Sequence, residues 1–188
     1  MKKMLIVTAI LLLAVFAQCH ASEKIAIDIG PEVGENAPKI SVIDEQGSRQ
    51  TIQSLSKEKG LILVFFRSAD WCPFCKRHLV ELKESYTKLN ELGFGVAAIS
   101  YDDTMILKNF SNEQQLPFTL LSDQDVKTIN AYKIRNKQYQ KGEANYGIPY
   151  PGIVIIDNQG KVLDKYFYQG YKQRVNFEVL ATKLAQHL

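Results

Sequence analysis

The chain has 188 residues, 46% of them hydrophobic and 23% charged, a length and balance suited to one domain with a real core. Its 23 basic residues exceed its 20 acids by three, and two of the lysines lie within the first three positions. The remainder is nearly neutral, which gives no reason to expect nucleic acid or an anionic membrane surface as a partner.

The N-terminal stretch "MKKMLIVTAILLLAVFAQCHA" places Lys2 and Lys3 before an apolar run from Met4 to Ala17, then small and polar residues. This is the layout of a secretory signal, and the run is shorter than the about 20 residues of a membrane-spanning helix. Residues 1–21 are therefore expected to be a signal peptide and residues 22–188 an exported domain, periplasmic or extracellular. A lipoprotein modified at Cys19 and an uncleaved anchor are the alternatives, although Gln18 is the wrong residue type before a lipidated cysteine.

An irregular lead-in with Gly30-Pro31 and Gly34 follows. "KISVID" (Lys39–Asp44) alternates like a strand, and "TIQSL" (Thr51–Leu55) reads as a second short extended piece. "LILVFF" (Leu61–Phe66) is continuously apolar, as in a strand buried on both faces of a sheet. Cys75, Leu79, Leu82, Tyr86 and Leu89 then recur at steps of four and three, one face of a helix that Gly93 can stop. "FGVAAIS" (Phe94–Ser100) is the next buried strand. Asp102 or Asp103 can cap a helix running through Phe110. "FTLLS" (Phe118–Ser122) reads as strand, and Asp123 opens a helix through Tyr132. Lys133 to Asn145 shows no period and reads as a charged loop. "GIVIID" (Gly152–Asp157) and "KVLDKYF" (Lys161–Phe167) form a hairpin around Asn-Gln-Gly, and "VNFEVLATKLAQHL" is an amphipathic closing helix. The order predicts an α/β layered fold: a central mixed sheet flanked by helices.

Of the three cysteines, Cys19 lies in the signal segment, which leaves Cys72 and Cys75 in "RSADWCPFCKRHL". Closing so short a loop removes little chain entropy, so the pair is better explained by reactivity than as a staple. It sits where a buried strand ends and a helix begins. Cys72 falls at the helix N-terminus, where unsatisfied N–H groups and the helix dipole stabilise a thiolate, and Cys75 falls one turn in on the buried stripe. Cys72 is expected to be the exposed, attacking sulfur and Cys75 the resolving one. Pro73 suits the first helical turn, where its missing N–H is not needed. Trp71, Pro73 and Phe74 shape the site. Downstream, "YGIPYPGIVIID" brings Tyr150 and Pro151 to a strand expected beside the catalytic one. The Tyr150–Pro151 bond is a candidate cis peptide facing the cysteines, with two ordinary loop prolines as the plainer alternative.

"WCPFC" after a buried strand, together with "IPYPGIVIIDNQGKV", resembles the thioredoxin-like superfamily. More closely it is similar to the redoxin branch containing the alkyl hydroperoxide reductase/thiol-specific antioxidant (peroxiredoxin-like) proteins, over most of Val33 to Arg174. The resemblance implies a thioredoxin-like fold, Cys72 and Cys75 as the redox pair and Pro151 as a cis-proline. Two departures stand out. The peroxidase pattern Pro-x-x-x-Thr/Ser-x-x-Cys is absent: counting back from Cys75 meets Cys72 and Ser68, and from Cys72 meets Ala69 and Phe65. Phe65 or Phe66 stands where thioredoxins carry a buried acid, which leaves Arg67 and Asp70 as nearby candidates for proton handling, or as solvated loop charges.

The leading expectation is an exported thiol–disulfide oxidoreductase acting on protein or small-molecule thiols and disulfides, with a redox partner protein. A thiol peroxidase of the same fold, acting on peroxides, is the first alternative. A module handling copper(I) through two thiolates is the second, although a third ligand is not evident and zinc would want four. No cofactor-binding residue is assigned. Seven tyrosines between Tyr132 and Tyr171 are either a docking surface or ordinary core and surface aromatics.

Overall fold

The computed structural model describes residues 26–187, so the expected signal segment lies outside the described residues. The elements in chain order are β1 (Val42–Asp44), β2 (Arg49–Gln50), α1 (Ile52–Leu55), β3 (Gly60–Phe65), α2 (Pro73–Glu91), β4 (Phe94–Ser100), α3 (Thr104–Gln114), β5 (Thr119–Ser122), α4 (Lys127–Ala131), β6 (Gly152–Ile156), β7 (Val162–Phe167) and α5 (Phe177–His187). They form a seven-stranded sheet in the order β2-β1-β5-β4-β3-β6-β7. β3 pairs parallel with β4 and β4 with β5, while β6 runs antiparallel to β3 and β7 antiparallel to β6. The parallel pairs are the ones joined by helical crossovers, α2 and α3; the antiparallel β6–β7 pair needs only a tight turn. Asp157 makes that turn by accepting from the Gln159 and Lys161 backbone N–H groups at 2.9 and 2.7 Å.

The continuous apolar strands are explained by two cores, one on each face. Ile62, Val64 and Phe66 join Phe94, Val96, Ala98, Ile153 and Ile155 under α2, α3 and α5. Leu61, Leu63 and Phe65 join Ala97, Ile99, Val154 and Ile156 on the opposite face with α1 and α4. Successive residues of a strand serve opposite cores, so none of these strands can alternate with polar side chains. Cys75, Leu79, Leu82 and Leu89 of α2 are buried as the helical spacing predicts; Tyr86 is only half-buried, and His78 and Ser85 complete the covered face. On the other face α1 packs so closely on β4 that a Cβ at Gly95 would strike the Leu55 carbonyl. Among the described residues no helix is long and apolar enough to cross a membrane.

Several boundaries differ from expectation. Thr51–Leu55 is a helical turn rather than an extended piece, because Thr51 and Ser54 form a reciprocal capping box with bonds of 3.0 and 2.9 Å. Local capping here outweighs an alternating pattern too short to pair. The first strand is confined to Val42–Asp44, and the helix capped by Asp103 runs on to Gln114. α4 begins at Lys127, with Asp123 accepting from Thr128 and Ile129 N–H at 3.1 and 2.8 Å across an intervening turn. Lys133 to Asn145 forms no helix or strand beyond an isolated bridge between Arg135 and Pro149.

Leu82 is fully buried between α2 and the sheet. Leu82→Ala should cost about 2–5 kcal/mol in urea unfolding, the range of buried leucine truncations. A loss within the error of the wild type would contradict the packing described.

Candidate active site

β3 is held on one side by β4 and on the other by β6, with Phe65 level with Ile99 and Gly152. The Phe66 N–H still donates to the Ile99 carbonyl at 3.0 Å, after which the chain leaves the sheet. The loop Arg67–Trp71 is tied down by its own hydroxyl and by a distant carboxylate. Ser68 Oγ accepts from the Asp70 and Trp71 N–H groups at 2.9 and 3.3 Å. Asp102, beyond the end of β4, accepts from the Ala69 N–H at 2.6 Å and from the Ser100 hydroxyl at 2.9 Å.

Cys72 is the N-cap of α2, with extended backbone (φ −97°, ψ 95°) and Pro73 at the first helical position. Its Sγ accepts from the Cys75 N–H at 3.3 Å, a donor shared with the Cys72 carbonyl at 3.0 Å, so sulfur takes the place that a serine or aspartate oxygen usually fills. Cys72 and Cys75 form a disulfide with their Cα atoms 5.2 Å apart. The expectation that Cys72 is exposed needs correction: it is 2% exposed and Cys75 is fully buried. Cys75 is on the buried face of α2, and the bonded Cys72 lies in the same core cluster.

The covering side chains come from the loop before α2, from Tyr101 and from the segment between β7 and α5. Trp71, 37% exposed, donates from Nε1 to the Tyr101 hydroxyl at 3.0 Å. The Arg67 guanidinium carbon lies 4.7 Å from the Trp71 ring centroid and 4.8 Å from that of Tyr171. Phe74 meets Tyr171 edge-on at 5.6 Å. Arg174 sets its Nη2 3.7 Å from Cys75 Sγ and donates from Nη1 to the Tyr171 and Gln173 carbonyls. Burial, with a smaller push from the neighbouring Arg67 charge and against the opposing Glu81, lowers the Arg174 pKa to about 10, which leaves it cationic at neutral pH. Two guanidiniums thus stand around the pair, one in direct reach of a sulfur, where they favour thiolate over thiol.

The expected residues divide as follows. Trp71, Pro73, Phe74 and Arg67 surround the cysteines, while Asp70 is an exposed loop charge. Pro151 directly precedes β6 and, with Tyr150, lines a cleft that also contains Arg67. Its peptide bond is not cis: among the described residues none is. The chain ahead of β6 is held by the Tyr150 N–H donating to the Ile134 carbonyl at 2.7 Å and the Asn136 N–H donating to the Ile148 carbonyl at 2.9 Å. Neither phenylalanine is replaced in function by a strand acid. Phe65 packs on Tyr132 at 5.1 Å in one core, and Phe66 lies in the other core with both cysteines. The buried acid near the loop is Asp102 instead. Two adjacent aspartates where a cap needs only one were its sequence signal: Asp103 caps α3, accepting from Ile106 N–H at 2.8 Å, and Asp102 is released for the loop. Arg174, 99 positions from Cys75, had no local signal. Among the described residues no group of three or more His, Cys, Asp or Glu comes together to hold a metal ion, and His78 is engaged by the Val175 carbonyl at 3.0 Å and by the Phe177 ring.

A cysteine pair at the start of the helix that follows an interior strand of a mixed sheet defines an oxidoreductase of the thioredoxin-like kind. The chain belongs to the AhpC/TSA family, whose profile matches residues 33–165. It is 29% identical over 145 residues to the thiol-disulfide oxidoreductase ResA of Bacillus cereus, covering 77% of this chain and 75% of that one. It is 39% identical over 130 residues to the chloroplastic peroxiredoxin Q of Populus jackii, covering 69% of this chain and 57% of that one. In fold it is similar to the crystal structure of peroxidoxin BcpB from Mycobacterium tuberculosis, with a TM-score of 0.70, 17% identity, and coverage of 85% and 98%.

Burial raises the Asp102 pKa above its ordinary 3.8, against the hydrogen bonds that lower it. A carboxyl that holds its proton more tightly in the fold than in the unfolded chain contributes most below pH 3.8, and that contribution is lost as pH rises through its folded pKa. Wild type should therefore lose stability relative to Asp102→Asn as pH rises through this window, with the other buried acids cancelling in the difference. Parallel stability curves for the two proteins would show that Asp102 is not perturbed.

Proposed function

We propose that this protein is an exported thiol–disulfide oxidoreductase in which Cys72 attacks and Cys75 resolves. The observation that carries the reading is the disulfide at the α2 N-terminus, with Cys72 as the cap and Cys75 inside the core beside Arg174. In the reduced protein the Cys72 thiolate keeps the Cys75 N–H as a partner and gains the dipole of a 19-residue helix. It attacks one sulfur of a substrate disulfide, and half of the substrate leaves as a thiol. Cys75 then attacks the Cys72 sulfur, the second half leaves, and the protein disulfide closes. Two electrons pass to the substrate; the reverse sequence oxidises a dithiol. Export is supported by the composition of residues 1–21 and by the suitability of a dithiol pair to an oxidising compartment. Finding the chain uncut and in the cytosol after cell fractionation would remove that part.

A thiol peroxidase is the second reading, favoured by the relatives named peroxiredoxin. Against it, the Thr/Ser hydroxyl of the peroxidase pattern has no counterpart three residues before either cysteine, and the Ser68 hydroxyl is occupied by loop N–H groups. Faster peroxide consumption with a thiol donor than disulfide exchange would favour this reading over the first.

Two measurements test the assignment of the sulfurs. Cys75→Ser should trap mixed disulfides with partner molecules, whereas Cys72→Ser should trap few; equal trapping would refute it. Alkylation of the reduced protein against pH should give an apparent Cys72 pKa clearly below the free-cysteine value of about 8.5. A midpoint at or above that value would mean that neither the helix start nor the guanidiniums activate the thiol.

A further inference from the structure

Between the Arg67 loop, the 133–139 loop and the turn at Gln169–Tyr171 lies a cleft of about 650 Å³. Its size is that of a small-molecule site. Four of its lining residues are basic, Arg67, Lys133, Arg135 and Lys137, and none is acidic. The chain as a whole is almost balanced in charge, so this is a local excess. Nor are the four neutralised: among the described residues no carboxylate forms a salt bridge with any of them. Arg135 rests on the Asn130 side-chain oxygen at 3.1 Å and on the Tyr146 ring, both neutral.

Arg67 is the sharpest case. It is 9% exposed, yet its Nε is a buried donor with no hydrogen-bond partner. A buried cation without an anion is costly and is not a resting arrangement that packing alone explains. The Trp71 and Tyr171 rings take the guanidinium face, which leaves the edge N–H groups, the ones that pair with a planar carboxylate. Neither cysteine lines the cleft, but Arg67 and Tyr171 do, and both belong to the cover of the Cys72–Cys75 pair, so a ligand held there touches the side chains that cover the redox centre.

We propose that this cleft binds the carboxylate-bearing part of the substrate, and that the substrates of the Cys72/Cys75 pair are small anionic disulfides. The inference rests on the dithiol reading above and adds the chemical class of its substrate. Reaction follows the two exchanges already described: the reduced protein loses two electrons and closes its disulfide, and the bound disulfide leaves as two thiols.

The test uses the reduced protein in single turnover. Trp71, the one tryptophan of the chain, reports oxidation by fluorescence. Three disulfides of different charge serve as substrates: oxidised glutathione (anionic), hydroxyethyl disulfide (neutral) and cystamine (cationic). Each rate is divided by that of dithiothreitol with the same disulfide, which removes intrinsic reactivity. The normalised rate should be about tenfold or more greater for oxidised glutathione than for cystamine at low salt, and the difference should shrink as salt rises. Lys133→Glu combined with Arg135→Glu should reduce or invert that ratio. S-methylglutathione, which cannot exchange, should bind the oxidised protein saturably, and more weakly to the double variant.

Equal normalised rates, or no binding of S-methylglutathione, would overturn the anion site while exchange with the neutral disulfide left the dithiol reading intact. Saturable binding of S-methylglutathione without exchange of any disulfide would instead support the anion site and overturn both the dithiol reading and the substrate class. Tight binding of an acidic peptide with none of S-methylglutathione would overturn the small-molecule assignment in favour of a protein substrate.

Discussion

The site depends on β3 being buried on both faces. A strand with a core above and below has no freedom to slide, because a shift by one residue would exchange Leu61, Leu63 and Phe65 with Ile62, Val64 and Phe66. The chain therefore leaves the sheet at one defined point, after the Phe66 N–H has made the last ladder bond. Everything reactive follows within a few residues of that exit: the loop held by Ser68 and Asp102, the cap at Cys72, and the first turn of α2 with Cys75 facing inward. The helix needs an acceptor at its N-terminus, and a sulfur supplies it. The thiolate, a stronger acceptor, fits the same place better, so the geometry that folds the helix also favours the reactive form of Cys72.

The electrostatics point in one direction. Helix N-terminus, Arg67 and Arg174 are all positive, and the one buried carboxylate in reach of the loop, Asp102, is turned to backbone N–H and hydroxyl groups. Positive surroundings stabilise thiolates and not a neutral disulfide, so they shift the pair toward its reduced form and make it a stronger oxidant than the same pair in neutral surroundings. The aromatic rings around Arg67 contribute without neutralising it: they hold the guanidinium in place by its face while its charge remains available.

The fold was largely legible because it rests on periodicity. Two-sided burial made β3, β4 and β6 continuous apolar runs, and α2 declared itself by steps of three and four. What was not legible depended on contacts between distant positions or on local capping. Ile52–Leu55 became helical through one Thr–Ser capping box. The peptide before Pro151 is trans, and Tyr150 pairs with Ile134, a distant contact that no local pattern announces. Within the site, the cysteines, Trp71, Pro73 and Phe74 could be read from adjacency. Arg174 could not, since it reaches Cys75 only after the chain has passed through the β6–β7 hairpin.

That return of the chain links the redox pair to the C-terminal helix. His78, one turn beyond Cys75, is bonded to the Val175 carbonyl and stacked on Phe177 at 4.4 Å, and Ser85 and Lys88 of α2 reach Glu178 at 2.9 and 3.1 Å. α2 and α5 are thus fastened along two turns on the side where Arg174 and Tyr171 descend over the cysteines. The segment between β7 and α5 is in consequence fixed at its α5 end, and at its middle Tyr171, Lys172 and Arg174 reach Phe74, Arg67 and the Cys75 sulfur. Since both sulfurs are covered in the disulfide form, any substrate that reaches them must displace part of this middle, and the contacts it displaces are aromatic and cationic rather than a packed aliphatic core. A carboxylate arriving at the edge of Arg67 leaves the Trp71 and Tyr171 rings on its face, so the same guanidinium can hold a ligand and keep its place over the redox pair.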